Sequence, residues 1–236
     1  MHFKHAIIWD KGEYYDINQD SFSLQILLTG SGPYAMAMVC DGIGGLLRGE
    51  EASGYTLRYM TTWFYENAIP LLCKKGAFRQ LKRSCQRALG DVHDNLQKNG
   101  SERGDMLGTT FTMLILGKEK FYTFHVGDCS CFILGKRNRK LTTDQLNERG
   151  ELIQAVGVGK VPEIMAGHGR YGRRNAFLLC SDGFAGCLNR QRLKALWECS
   201  RKGDNNKTQK MMQEILARGR QKGERDNCTA IYIQRV

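Results

Sequence analysis

The chain reads as an α+β protein, and the order of its elements carries that reading. Three β-type runs come first, two long amphipathic helices follow, and the second half holds more strands, another helix pair and a last strand. The regular strand–helix alternation of a parallel α/β sheet does not occur. Short separators between the middle strands point to antiparallel pairing. With 236 residues, 42% hydrophobic and 25% charged, the chain can bury a sizeable core. No linker, low-complexity tract or internal repeat interrupts it, so one continuous domain over residues 1–236 is expected.

The first strands are expected at His5–Trp9, Ser21–Leu28 and Tyr34–Cys40, each ending at Gly or Asp. From Glu50 to Asn67, Leu57, Met60 and Phe64 recur at helical spacing, as do Tyr55, Tyr59 and Trp63. From Phe78 onward, Leu81, Cys85, Leu89, Val92 and Leu96 form an apolar stripe that stops near Asn99-Gly100. Arg79, Arg83 and Arg87 occupy the opposite face of that helix, which is expected to be solvated. Three strands should follow, Thr110–Leu116, Lys120–Val126 and Ser130–Leu134. Their separators, Gly117–Glu119 and Gly127–Cys129, are short enough for hairpins. A short helix is expected around Gln145–Ala155, then strands near Glu163–Ala166 and Asn175–Cys180. Helices near Arg190–Cys199 and Lys207–Ala217 and a strand over Cys228–Gln234 complete the chain.

Composition narrows the class of function. No apolar run approaches the roughly 20 residues of a membrane span, and the N-terminal stretch has no apolar core or cleavage site of a secretory signal. Nine cysteines in such a chain suggest reduced thiols in the cytoplasm, and their spacing matches no zinc pattern. Cys129 and Cys131 would point to one face of a strand. The charge balance, 35 basic against 24 acidic residues for a net +11, favours an anionic partner without choosing among nucleic acid, acidic lipid and acidic or phosphorylated protein. No RRM, KH or zinc-finger signature accompanies it, so nucleic acid is not the expected partner.

Five segments share one design, a β run delivering an aspartate at its end: Asn18-Gln19-Asp20-Ser21, Val39-Cys40-Asp41-Gly42, Val126-Gly127-Asp128, Cys180-Ser181-Asp182-Gly183 and Asp226-Asn227-Cys228-Thr229. Each alone is an ordinary turn. Five carboxylates gathered at one sheet edge would repel one another unless cations neutralised them, and hard oxygen ligands suit Mg²⁺ or Mn²⁺.

These segments, in this order, resemble the metal-dependent protein phosphatase family of the 2C type, in its bacterial-like branch. The strongest piece is VCDGIGGLLRGEEAS at Val39–Ser53. Gly108-Thr109-Thr110, His125-Val126-Gly127-Asp128, Leu141-Thr142-Thr143-Asp144 and Ala155-Val156-Gly157 fall between it and the two C-terminal motifs. The resemblance implies two antiparallel sheets in a central sandwich flanked by helix pairs. It implies hydrolysis of phosphoserine and phosphothreonine in proteins by a hydroxide bridging two Mg²⁺ or Mn²⁺ ions, with a weak third ion. Asp41 would bridge the two ions, the Gly42 carbonyl would join the first, and Asp182 and Asp226 would complete the second. Asp20 would orient bound waters, and Asp128 would help hold the third ion. The glycines Gly42, Gly44 and Gly45 would let the backbone approach the metals. The partner implied is a phosphorylated protein, opposing a serine/threonine kinase.

Several positions depart from the family pattern. Tyr15 stands where a phosphate-binding arginine is expected, and Gln19 where a glutamate is expected. A phenol donates one neutral hydrogen bond, whereas a guanidinium grips with charge and two donors. Gly127-Asp128-Cys129-Ser130 lacks a second arginine, and Ile43 stands where some eukaryotic members carry histidine. The segment from Asp144 to Ala155 is shorter than the bacterial flap, which should open the cleft. Nearby Lys11, Arg48 or Arg173 could replace the missing charge. A phosphatase-like regulatory module, binding metal or phosphoprotein with little turnover, is the alternative that Tyr15 and Gln19 favour.

Overall fold

The computed structural model describes residues 2–30, 32–44, 46, 48–74, 76–202 and 205–236. β1 (Phe3–Asp10), β2 (Ser21–Thr29) and β3 (Gly32–Cys40) lead into α1 (Gly49–Trp63), a π-helical turn (Phe64–Ala68), α2 (Ile69–Leu72) and α3 (Ala77–Arg103). Then come β4 (Phe111–Leu116), β5 (Lys120–Val126), β6 (Ser130–Leu134), β7 (Arg139–Lys140), β8 (Met165–Arg170) and β9 (Ala176–Cys180). The remaining elements are α4 (Asp182–Gly186), α5 (Arg190–Lys202), α6 (Asn205–Arg220) and β10 (Cys228–Arg235).

The strands make two antiparallel sheets, ordered β1-β10-β9-β6-β7 and β2-β3-β4-β5-β8. Strand alternation builds the layers. In β3, Ala35, Ala37 and Val39 pack with Phe177, Leu179 and Ile231 of the other sheet, forming the core between the sheets. Met36, Met38 and Cys40 on the opposite face pack with Met60, Leu81 and Leu89 of α1 and α3. On the other side, Leu178, Ala230 and Tyr232 meet Leu196, Met212 and Ile215 of α5 and α6. A strand covered on both faces is apolar throughout, which is why β3, β4, β9 and β10 are nearly continuous hydrophobic runs. The helix–sheet–sheet–helix layering is the one expected. Gln209 of α6 donates to the Ile7 carbonyl at 2.7 Å and accepts from the Ile7 amide at 2.9 Å, satisfying groups that the edge strand β1 leaves free.

Four local expectations are corrected. β4 and β5 form a hairpin, but β5 and β6 do not pair: β5 bonds β4 and β8, while β6 bonds β7 and β9. Gly127, at φ +106°, turns the chain from one sheet into the other, so the three-residue separator is a corner. Residues 145–155 form no helix. Asn147 Oδ1 accepts from the amides of Arg149 and Glu151 at 2.9 and 3.0 Å, a local turn that competes with helical bonding. β8 begins and ends later than expected, because Gly167 and Gly169 hide it from propensity. The helix over Glu50–Asn67 is divided: the Ile69 amide donates to the Phe64 carbonyl, five residues back, where Pro70 cannot donate to Glu66.

Most of the cysteines behave as small hydrophobes: seven of the nine are buried, and none forms a disulfide among the described residues. Cys129 and Cys131 are both fully buried in the core between the sheets, on one face as expected. Arg79, Arg83 and Arg87 lie exposed along α3.

Candidate active site

Asp41, Asp128, Asp182 and Asp226 line a single cavity of about 180 Å³, together with Tyr15, Gly42, Gly44, Thr110, Leu152 and Asn227. Each carboxylate arrives from a strand end. Asp41 follows β3, Asp128 follows the Gly127 corner after β5, Asp182 follows β9, and Asp226 precedes β10. Both sheets therefore deliver acids to the same edge of the sandwich.

Hydrogen bonds to its backbone hold Asp41 in place. The Asp41 amide donates to Thr110 Oγ1 at 2.9 Å, and its carbonyl accepts from the Thr110 amide at 2.8 Å and Thr109 Oγ1 at 2.7 Å. The Gly42 amide donates to the Gln19 carbonyl. A Cβ on Gly42 would stand 2.4 Å from the Gly49 carbonyl carbon, so the first glycine of the motif serves a close backbone crossing. A Cβ on Gly44 would instead meet the Tyr15 phenol. Gly45, the third glycine of that motif, lies outside the described residues. Asn227 ties the β1–β2 loop to the C-terminal motif: its Oδ1 accepts from the Gln19 amide at 2.8 Å, and its Nδ2 donates to the Lys11 carbonyl at 2.6 Å. Gly12, at φ +72°, lets the same loop settle against Arg225 and Asp226.

Asp20 lies behind the cavity wall, 2% exposed, and accepts from Ser181 Oγ at 2.9 Å through Oδ2. Among the described residues, its buried Oδ1 has no hydrogen-bond partner. Burial lifts the Asp20 carboxyl to about 6, with Asp182 and Asp226 adding to the rise. Burial and then the Asp182 charge push Asp128 up to about 7. Asp41 is raised well above the carboxylate range by burial and by Asp20, Asp182 and Asp128; Asp226 rises through burial and Asp182. Burial is the first cause of all four shifts, and the neighbouring carboxylates add to it. No lysine or arginine is among the described residues lining the cavity.

None of the three candidate replacements for the missing arginine lines the cavity. Lys11 Nζ donates to the Tyr15 carbonyl at 3.0 Å, Arg48 pairs with Glu51 and Asp105, and Arg173 is exposed. Tyr15 itself faces the cavity and does not pack away from it. Burial, then Asp226, raises its pKa, which keeps the phenol a neutral donor. Leu152 brings the short segment after Asp144 to the cavity wall. Among the described residues, no three His, Cys, Asp or Glu side chains stand close enough to form a ready-made metal cage. Sequence reasoning assigned no role to Thr110, Ser181, Leu152 or Asn227. Ser181 and Asn227 flank Asp182 and Asp226 in sequence, and that adjacency was the available signal; Thr110 touches Asp41 only through the fold.

The sequence model of the protein phosphatase 2C family matches residues 15–217. A Mycoplasma pneumoniae protein described as "Putative protein phosphatase" is 25% identical over 136 residues, 56% of this chain and 51% of that protein, so the match spans about half the relative's length. Among solved structures, the serine/threonine phosphatase Stp1 of Staphylococcus aureus superposes with a TM-score of 0.82 at 17% identity, over 100% of this chain and 96% of that one. The Mycobacterium tuberculosis serine/threonine phosphatase PstP/Ppp gives 0.75 at 17% identity over 99% of both chains. The S. agalactiae serine/threonine phosphatase gives 0.79 at 18% identity over 99% of both.

Proposed function

The chain belongs to the protein phosphatase 2C family, and from that premise we propose that it is a metal-dependent serine/threonine protein phosphatase acting as one unit over residues 1–236. One observation carries this: four carboxylates from four separate stretches line one cavity that no described lysine or arginine enters. Hard oxygen donors gathered around one cavity suit Mg²⁺ or Mn²⁺. The partnerless Oδ1 of Asp20 and the raised pKa values fit a missing positive charge.

In this reading Asp41, the Gly42 carbonyl, Asp182 and Asp226 would hold two ions, and Asp128 would help hold a weaker third. When bound, such ions supply a nucleophilic water at neutral pH and screen the charge of the phosphate. The chain's own groups do the rest. Thr109 and Thr110 keep the Asp41 backbone fixed so that its carboxylate cannot swing out. Asp20, held by Ser181, orients water from behind. Tyr15 donates its phenolic proton to a phosphate oxygen and leaves the clamp weaker than a guanidinium would. The substrate is a phosphoserine or phosphothreonine protein, placed opposite a serine/threonine kinase in the cytoplasm. Among the described residues, no helix is long and apolar enough to cross a membrane.

The test is phosphate release from a phosphothreonine peptide by chelator-stripped protein, before and after adding Mn²⁺ or Mg²⁺, with thermal unfolding followed in parallel. Turnover that appears only with metal supports the proposal. A rise in melting temperature without turnover favours the regulatory-module alternative, for which the placement of neutral Tyr15 in the cavity is the specific support. No effect of metal on either readout overturns both.

A further inference from the structure

The net charge of +11 has no part in the acidic cavity, and much of it gathers on one other face. The turn after β6 separates two hollows. The nearer, about 890 Å³, is rimmed by Lys136, Arg137, Arg139, Lys140, Arg190 and Lys194. The farther, about 450 Å³, adds Arg174 and Arg201. Among the described residues, no aspartate or glutamate lines either one. Lys140 pairs with Asp144, and Lys194 stands 3.9 Å from Glu198, but no ion pair among the described residues engages Lys136, Arg137, Arg139 or Arg190. The contrast lies on the opposite helix layer, where the groove between α1 and α3 mixes Arg58 and Arg87 with Glu66 and Asp91. A trough of one sign repels itself and waits for a polyanion.

The floor selects the kind of polyanion. Phe132, Leu188 and Leu193 form an apolar base beneath the cations of the nearer hollow. The aromatic rings, Phe132 and Trp197, are half-buried and buried, and the Arg201 guanidinium already lies over the Trp197 ring at 5.1 Å. Neither offers the exposed platform on which a nucleotide base stacks. An apolar side chain among acidic ones fits both floor and rim. The trough also adjoins the candidate active site through α4: Asp182 at its start lines the acidic cavity, and Ala185 lines the trough. Three residues of helix separate them by ~4.5 Å along the axis.

We propose that this basic trough docks an acidic, leucine-bearing segment of the protein substrate, close in sequence to the phosphorylated residue. The proposal rests on the phosphatase reading only for its kinetic arm. The binding arm uses the full chain and a fluorescent unphosphorylated peptide of alternating acidic residues and leucine. Its affinity should fall roughly tenfold in Lys136→Ala/Arg137→Ala/Arg190→Ala, whose three side chains are exposed, and should weaken as salt rises. An unchanged melting temperature shows that the variant is folded. The kinetic arm compares two phosphothreonine peptides, one with the acidic segment and one neutral. In the variant, kcat/KM should fall by a similar factor for the acidic peptide and stay unchanged for the neutral one. Equal peptide affinity in wild type and variant overturns the proposal, as does tighter binding of single-stranded DNA of equal charge. A protein that binds the peptide through these residues but releases no phosphate retains the dock and loses the phosphatase reading.

Discussion

Replacing Asp128 with asparagine should make the metal-free protein more stable at alkaline pH. Asp128 is half-buried beside Asp182, and its carboxyl is pushed up to about 7 from an ordinary 3.8. Below pH ~4 the folded and unfolded chains both carry the proton, and the site costs nothing. As pH rises from 4 to 7 the unfolded chain releases that proton while the folded chain retains it, and the penalty is complete above 7. The ceiling for such a displacement is about 4 kcal/mol. Partial contact with water reduces it to about 2 kcal/mol. For a chain of this length that corresponds to a melting-temperature gain of about 4–8 °C for Asp128→Asn at pH 8. Scanning calorimetry in chelator at pH 8 and pH 4 checks it: the gain should be present at the first and absent at the second. Mn²⁺ should raise the wild-type melting temperature more than the variant's. A variant no more stable than wild type at pH 8 would falsify the view that this cavity carries uncompensated negative charge.

Three further outcomes are expected. Tyr15→Arg should lower KM for a phosphopeptide roughly tenfold, because a charge-assisted contact replaces one neutral hydrogen bond; an unchanged kcat/KM would mean that the phosphate does not reach residue 15. Asp41→Asn and Asp226→Asn should each nearly abolish metal-dependent turnover while leaving the circular dichroism spectrum intact, and a variant keeping most of its Mn²⁺-dependent rate contradicts the ligand assignment. His125 is buried and bonded through Nδ1 to Thr112 Oγ1 at 2.8 Å, and burial lowers its pKa to about 4. Its imidazole should therefore titrate near 4 by NMR. The stability it lends should drain away as pH falls from about 6.5 to 4, since only the unfolded chain takes up the proton there; a midpoint near 6.5 would show that the ring is wet.

Much of the fold was legible because strands and helices announce themselves by period. The apolar run of β3 identified an element, and the Leu81–Leu96 stripe of α3 identified both an element and its buried face. The acidic site was legible for a different reason: Asp41, Asp128 and Asp182 sit where an apolar run stops and Asp226 where one begins, and strand ends of a sandwich meet at its edge. What escaped was decided by contacts that no local pattern encodes. Gly127-Asp128-Cys129 suits a hairpin or a corner equally well, and only the partners of β5 and β6 distinguish them. Between Gln145 and Ala155 a short helix was expected, but the Asn147 side chain captures the backbone amides of Arg149 and Glu151. That Tyr15 faces the cavity depends on the Gly12 turn lying against Arg225, a contact more than 200 residues away in sequence. The role of Gly42 likewise became visible only with Gly49 packed against it.

The central claim is that the acidic cavity is a two-metal centre, and anomalous diffraction from crystals soaked in Mn²⁺ tests it most directly. Two manganese peaks should appear between Asp41, Asp182 and Asp226, with the Gly42 carbonyl on the first, and both should vanish in Asp41→Asn crystals. An empty cavity under saturating Mn²⁺, or manganese bound only away from these carboxylates, would contradict the account.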